Sequence, residues 1–156
     1  MRSREMAPTE PRPGCPFCTS PDIADRLVAE VVLARAFLSV MPIVPGHALI
    51  IPKRCVPGVD DLLPEEIRAM NDLRKLVRRA LRKECGAEGF HFAWNEGAVA
   101  GQTVPHVHLH VVPRKLGDAG ITEYEPRQFL YRPGARAESP AAELRSLAEQ
   151  LRTRCV

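Results

Sequence analysis

No stretch of this 156-residue chain approaches the roughly 20 consecutive apolar residues needed to cross a bilayer, so no membrane span is expected. Charge of one sign is scarce as well. The 22 basic and 19 acidic residues leave a net charge of +3, too mild for bulk electrostatics to argue for nucleic acid. No specific nucleic-acid binding is therefore expected. The opening residues Met1 to Arg12 are charged and proline-containing rather than apolar, unlike a signal peptide, and a cytoplasmic location is expected. No internal repeat is visible. Cysteine is limited to five residues, an odd number, and two of them form a C-x-x-C pair. In a reducing compartment that pattern suggests metal or redox chemistry more than a disulfide framework. What remains is ordinary for a globular protein, with 45% hydrophobic and 26% charged residues in a length that suits one domain.

The punctuation of the chain predicts its elements. Met1 to Gly14 holds four prolines or glycines and little that is apolar, so residues 1–14 read as a disordered tail and 15–156 as a single domain. Leu27–Leu33 and Ala36–Met41 read as two strands with a turn near Arg35, and His47–Pro52 as a third. Leu63-Pro64-Glu65-Glu66 starts a helix with proline and acids in its first turn. Ile67, Met70, Leu73, Leu76, Val77, Ala80 and Leu81 continue it at helical spacing, and Gly86 ends it. Its basic end reads as a solvated face. Phe90–Asn95 reads as a fourth strand, Arg114 to Pro140 as loop, and about 139–154 as a last helix carrying Leu144, Leu147, Ala148 and Leu151. This order predicts an α+β domain with a mainly antiparallel sheet of about five strands and two main helices.

The segment His106-Val107-His108-Leu109-His110-Val111-Val112-Pro113 holds three of the chain's five histidines. In a strand, residues at i, i+2 and i+4 share a face, so the imidazoles form a row while Val107, Leu109 and Val111 face a core. Imidazole is a general base, a nucleophile or a metal ligand. Gly101-Gln102-Thr103-Val104-Pro105 precedes the row and supplies polar side chains and a glycine turn that admits an anion. Arg114-Lys115 follows and adds positive charge. A phosphate facing two histidines fits these residues, one imidazole attacking phosphorus and another donating to the oxygens. A plain polar strand face, or a zinc module using all three histidines, are the competing readings.

The motif H-φ-H-φ-H-φ-φ at 106–112, with Gly101–Pro105 before it and Pro113-Arg114-Lys115 after it, resembles the histidine triad (HIT) family, in its fragile-histidine-triad branch. Pro45-Gly46-His47-Ala48-Leu49-Ile50-Ile51-Pro52-Lys53 is similar to a second signature of that family. The resemblance covers roughly Cys15 to Lys115. It implies a HIT-like fold and an enzyme that cleaves at the α-phosphate of a nucleotide, on dinucleoside polyphosphates or related conjugates, with a metal-bound form of the substrate also conceivable. His108 matches the nucleophile that becomes nucleotidylated, and His110 the partner on the phosphate oxygens. Thr103 matches a hydroxyl residue serving the bridging or leaving atom. Asn95 matches an amide that contacts phosphate, and Gln102 lies in the phosphate loop. His47 matches a histidine supporting the triad. Ser39 stands where the family usually has Asp or Asn gripping the ribose; one hydroxyl gives a weaker grip. A phosphorylase or nucleotidyltransferase, and a nucleotide-binding scaffold with incidental turnover, are the alternatives. The family also implies a homodimer, to which the long helix and Arg127 to Arg136 could contribute. Some relatives bind structural zinc through a C-x-x-C pair, a histidine after Ile-Pro-Lys and the first triad histidine. Those positions here are Cys15, Cys18, Cys55 and His106, with cysteine replacing one histidine, still a good zinc donor. Buried free thiols are the alternative. Cys85, Cys155 and His91 receive no role.

Overall fold

The structure, a computed structural model, describes residues 11–119 and 138–155. Most of the expected tail and the whole of Arg127 to Arg136 lie outside the described residues. The elements follow as α1 (Pro16–Thr19), β1 (Leu27–Glu30), β2 (Ala34–Leu38), β3 (Ala48–Pro52), α2 (Pro64–Cys85), β4 (Gly89–Trp94), β5 (Leu109–Arg114) and α3 (Ala141–Arg154). The five strands form one antiparallel sheet in the order β1-β2-β3-β5-β4.

The two-residue period of the strands sorts side chains onto the two faces. Ala34, Ala36 and Leu38 of β2, Ala48 and Ile50 of β3, and Leu109 and Val111 of β5 meet Leu73, Val77, Ala80 and Leu81 of α2 and Leu144, Ala148 and Leu151 of α3 in the main core. Phe37, Leu49 and Ile51 take the opposite face and pack with Ile23 and Phe17. Both layers are buried on β3, which is why it reads as a continuous apolar run. Leu73 and Leu81 are 0% exposed, and each such side chain contributes on the order of 2 kcal/mol of hydrophobic stabilisation.

The start and stop of α2 follow its expected chemistry. Pro64 opens the first turn, Glu66 Oε2 accepts from the Leu63 backbone N–H at 2.8 Å, and Gly86 closes the helix in the left-handed region at φ 66°. Glu66 is buried and also takes two hydrogen bonds from Arg54, at 2.9 and 2.8 Å. That clamp ties the segment after β3 to the head of α2. Gly46, at φ 92°, lets the loop before β3 press on the helix end. A Cβ there would lie 2.9 Å from Leu81 Cδ2 and 3.2 Å from Cys85 Sγ and from Pro113 Cγ.

Two expectations are corrected. The first hairpin turns at Val31–Leu33, not near Arg35: the Val31 N–H bonds the Ala34 carbonyl at 2.9 Å and Val32 is 85% exposed. Arg35 is the second residue of β2. No glycine or proline marks this turn, so the valine-rich run hid it. Strand β5 starts at Leu109, not His106. Its ladders end at Ile50↔Leu109 and Trp94↔Leu109. His106 to His108 are held otherwise, with the Val107 N–H donating to the Val56 carbonyl at 2.7 Å.

Candidate functional site

On the face opposite the helices, register places the histidines. His110 stands between Leu49 of β3 and Ala93 of β4, and alternation carries His108 to the same side. Val107, Leu109 and Val111 are buried in the main core, as their alternation predicts. The rings of His108 and His110 lie 4.9 Å apart, nearly edge to face.

Backbone hydrogen bonds assign different states to these rings. The His108 Nδ1 sits 2.8 Å from the His106 carbonyl, which can only accept, so Nδ1 carries the proton and Nε2 keeps its lone pair. Burial pushes the His108 pKa below its ordinary 6.5, only partly opposed by that hydrogen bond, and favours the neutral ring. A second relay begins at Ile43, whose N–H donates to His47 Nδ1 at 3.1 Å. His47 Nε2 then carries the proton and donates to His110 Nδ1 at 2.9 Å. His110 is left with its proton on Nε2. One ring thus presents a nucleophilic nitrogen and its neighbour a donor. His47 is 1% exposed, fixed by the turn at Gly46 and by its carbonyl accepting the Ser39 N–H at 2.9 Å.

His106 has a separate environment. It is 0% exposed, its Nε2 donates to the Pro52 carbonyl at 2.9 Å, and burial lowers its pKa. Its Nδ1 lone pair faces the Cys15 Sγ at 3.5 Å and the Cys18 Sγ at 3.6 Å. α1 carries Cys18 with Cys15 at its N-cap, and the segment after β3 brings Cys55. The donor atoms of Cys15, Cys18, Cys55 and His106 lie within 4.8 Å of one another and could hold a metal ion. A tetrahedral centre with bonds of about 2.3 Å to sulfur and 2.05 Å to nitrogen requires S···N separations of about 3.6 Å, so the spacing fits. Burial first, and then the neighbouring thiols, push Cys55 up to about 12, and burial raises Cys18. Crowded thiols oppose one another's ionisation, and a bound cation removes that cost.

The loop residues fall into place less uniformly. Gln102 does not point freely into the site. Its Oε1 accepts from the Gly97 N–H at 2.8 Å and its Nε2 donates to the Pro57 carbonyl at 2.7 Å. Asn95 is buried; its Nδ2 donates to the Ala100 carbonyl at 2.6 Å, while its Oδ1 is buried without a partner among the described residues. Both amides brace the 97–102 loop. Thr103 is exposed beyond that loop. Ser39 is buried and, with His47, Pro42, Gly46, Glu143 and Leu147, lines a cavity of about 440 Å³. The expected positive charge from Arg114-Lys115 is not delivered. Arg114 sits four residues past His110, about 13 Å along the strand. It pairs with Asp118 through two bonds of 2.8 Å, and Lys115 reaches the Cys85 carbonyl at 3.3 Å.

Sequence reasoning missed Phe17. Its ring lies 5.2 Å from that of His108, edge on, and 6.0 Å from that of His106, so it walls the site between the two groups. Its position between the two cysteines was the available signal.

A five-stranded antiparallel sheet with its two long helices on one face, and a histidine relay ending in H-φ-H-φ-H on the other, defines a histidine-triad protein. The family model for the HIT domain matches residues 20–117, and the chain belongs to that family. It is 42% identical over 96 residues to the asymmetrical bis(5'-nucleosyl)-tetraphosphatase of Schizosaccharomyces pombe, over 62% of this chain and 53% of that protein. It is 35% identical over 127 residues to the bis(5'-adenosyl)-triphosphatase of Dictyostelium discoideum, over 76% of this chain and 82% of that one. The aligned region thus spans about half the length of the fission yeast relative and about four fifths of the Dictyostelium one. The crystal structure of a zinc-bound histidine triad family protein from Mycobacterium smegmatis matches with a TM-score of 0.69 at 29% identity, covering 91% of this chain and 93% of that one.

Proposed function

We propose that the protein hydrolyses dinucleoside polyphosphates or related nucleotide conjugates at an α-phosphate, through a nucleotidyl-histidine intermediate. The observation that carries this reading is the pair of ring states: a bare Nε2 on His108 beside a protonated Nε2 on His110. In the first step His108 Nε2 bonds to the α-phosphorus and the bond from phosphorus to the leaving phosphate oxygen breaks. The imidazolium so formed keeps its Nδ1–H on the His106 carbonyl, which disperses the new charge. His110 donates to a non-bridging oxygen, and the Thr103 hydroxyl serves the departing oxygen. In the second step water attacks phosphorus, the P–N bond breaks, and His108 returns to its neutral state as a nucleoside monophosphate leaves.

Ser39 is assigned to the ribose by its place beside His47, whose carbonyl accepts its backbone N–H. Gln102 and Asn95 shape the phosphate loop, and Gln102 would have to exchange its loop bonds to touch phosphate itself. Zinc is the metal assigned to Cys15, Cys18, Cys55 and His106; the three-sulfur, one-nitrogen set and its spacing support it. Four protein donors leave no open position, so the metal braces the fold. It also bears on catalysis, because the carbonyl that orients His108 belongs to the ligand His106.

We also read residues 15–156 as one domain acting in the cytoplasm as a homodimer. β4 is an edge strand, and Ile67, Phe92 and Trp94 are exposed beside it around a cleft of about 510 Å³, the surface a second copy would cover. No helix among the described residues is long and apolar enough to cross a membrane.

The deciding experiment is turnover of a diadenosine polyphosphate in H₂¹⁸O, with quenched protein weighed by mass spectrometry. One ¹⁸O in the monophosphate and one nucleotidyl group on His108 are expected. Retained hydrolysis in a His108→Ala protein would sink the mechanism. Nucleoside diphosphate formed on adding inorganic phosphate would assign the chain to the phosphorylases instead.

A further inference from the structure

A half-buried cation that forms no ion pair among the described residues shares a cavity with Cys18. Arg35 lies on β2 opposite Glu30 on one side and Ile51 on the other. Ile51 packs on the histidine face, so Arg35 projects to that face too. With Phe17, Cys18, Ile51 and Lys53 it lines a cavity of about 50 Å³. Among the described residues Arg35 forms no ion pair, and its Nε is buried with no hydrogen-bond partner. Three other arginines differ in this respect. Arg26, Arg54 and Arg114 each hold a carboxylate, at 2.9, 2.8 and 2.8 Å. Lys53, in the same cavity, is taken by Glu30 at 2.5 Å.

Partial burial of an unpaired guanidinium is costly, and a negative charge nearby would offset that cost. The cluster supplies one when loaded. A divalent cation with three thiolates and a neutral imidazole carries a net charge of −1, whereas a two-cysteine, two-histidine set would be neutral. We propose that Arg35 is the counter-charge of the metal centre, holding the three-thiolate form of the site against its excess negative charge. It acts as a positioning residue through Cys18 and does not ligate the metal. The proposal rests on the zinc reading given above.

The test is a cycle of R35Q, R35K, C55H and R35Q/C55H. Zn²⁺ affinity is read by competition with a chromophoric chelator, and thiolate ligation by the visible and near-ultraviolet absorption of the Co²⁺-loaded proteins. R35Q is expected to weaken Zn²⁺ about tenfold while keeping the three-thiolate spectrum, and R35K to restore most of the loss. On the neutral C55H background the same substitution should change affinity by less than about twofold. Equal affinity of R35Q and the unsubstituted protein overturns the counter-charge, as does an equal loss on both backgrounds. Absence of Zn²⁺ or Co²⁺ uptake by the unsubstituted protein overturns the zinc reading itself, a separate result. Circular dichroism checks each fold, and R35M replaces R35Q in the cycle if R35Q does not fold.

Discussion

The two ends of the histidine row differ in what touches their rings. His106 is fully buried, and both of its nitrogens are engaged within the protein, one with thiols and one with the Pro52 carbonyl. His110 is partly exposed, and its Nδ1 accepts the His47 relay. Between them, His108 is anchored at Nδ1 by the backbone of His106. Three identical side chains at alternate positions therefore have three different surroundings, which underlie the proposed roles of metal donor, nucleophile and hydrogen-bond donor. Spacing assigned their common face, while the partners at the ring nitrogens tell the three apart.

Substitutions at each end can break this contrast. The largest expected effect is on the nucleophile. His108→Asn should lower kcat about 10⁴-fold while leaving metal content unchanged, measured by steady-state turnover and elemental analysis. Loss of metal in that variant would show that the two ends are not separable. At the metal end, Cys55→Ser should release the metal and lower the melting temperature, with kcat falling about 10- to 100-fold as the His106 carbonyl loosens. Full activity in a metal-free protein would sever the link from His106 to His108. At the other end, His47→Ala should cost about tenfold in kcat/KM with metal retained, because His110 loses the donor that fixes its tautomer. The smallest effect is the pH response. The proposed attack needs a neutral His108, and burial lowers its pKa from 6.5, so the acid limb of kcat/KM should fall below pH 6.5. By linkage, the neutral ring favours the folded state. Its stability contribution is complete above pH 6.5 and declines as pH falls toward the lowered pKa, where the unfolded chain takes up the proton more readily. A limb centred above 6.5 would mean that another group controls the rate.

Much of the fold was legible in local pattern. Helix α2 announced itself through Pro64, its apolar spacing and Gly86, and the structure places it within a residue of each mark. Strand β3 and the core-facing Val107, Leu109 and Val111 followed from composition and alternation. The hairpin turn at Val31–Leu33 was not legible, since β-branched residues there imitate strand. Nor was the early end of the β5 ladder, which depends on how far β3 and β4 reach alongside it. In the site, Gln102 and Asn95 were read toward phosphate, yet their side chains also brace the loop, through carbonyls of Pro57 and Ala100 that no spacing rule links to them.

By itself the sequence determined the α+β order of elements, the histidine face, the C-x-x-C pair and the family resemblance. Each of these is a periodic or contiguous pattern, because strand and helix geometry repeat along the chain. The tertiary structure alone decided which nitrogen of His47, His106, His108 and His110 carries a proton, that Cys55 meets Cys15, Cys18 and His106, and that Arg35 shares a cavity with Cys18 while forming no ion pair among the described residues. Those outcomes depend on contacts between segments up to 91 residues apart, set by strand pairing and loop closure rather than by any local repeat.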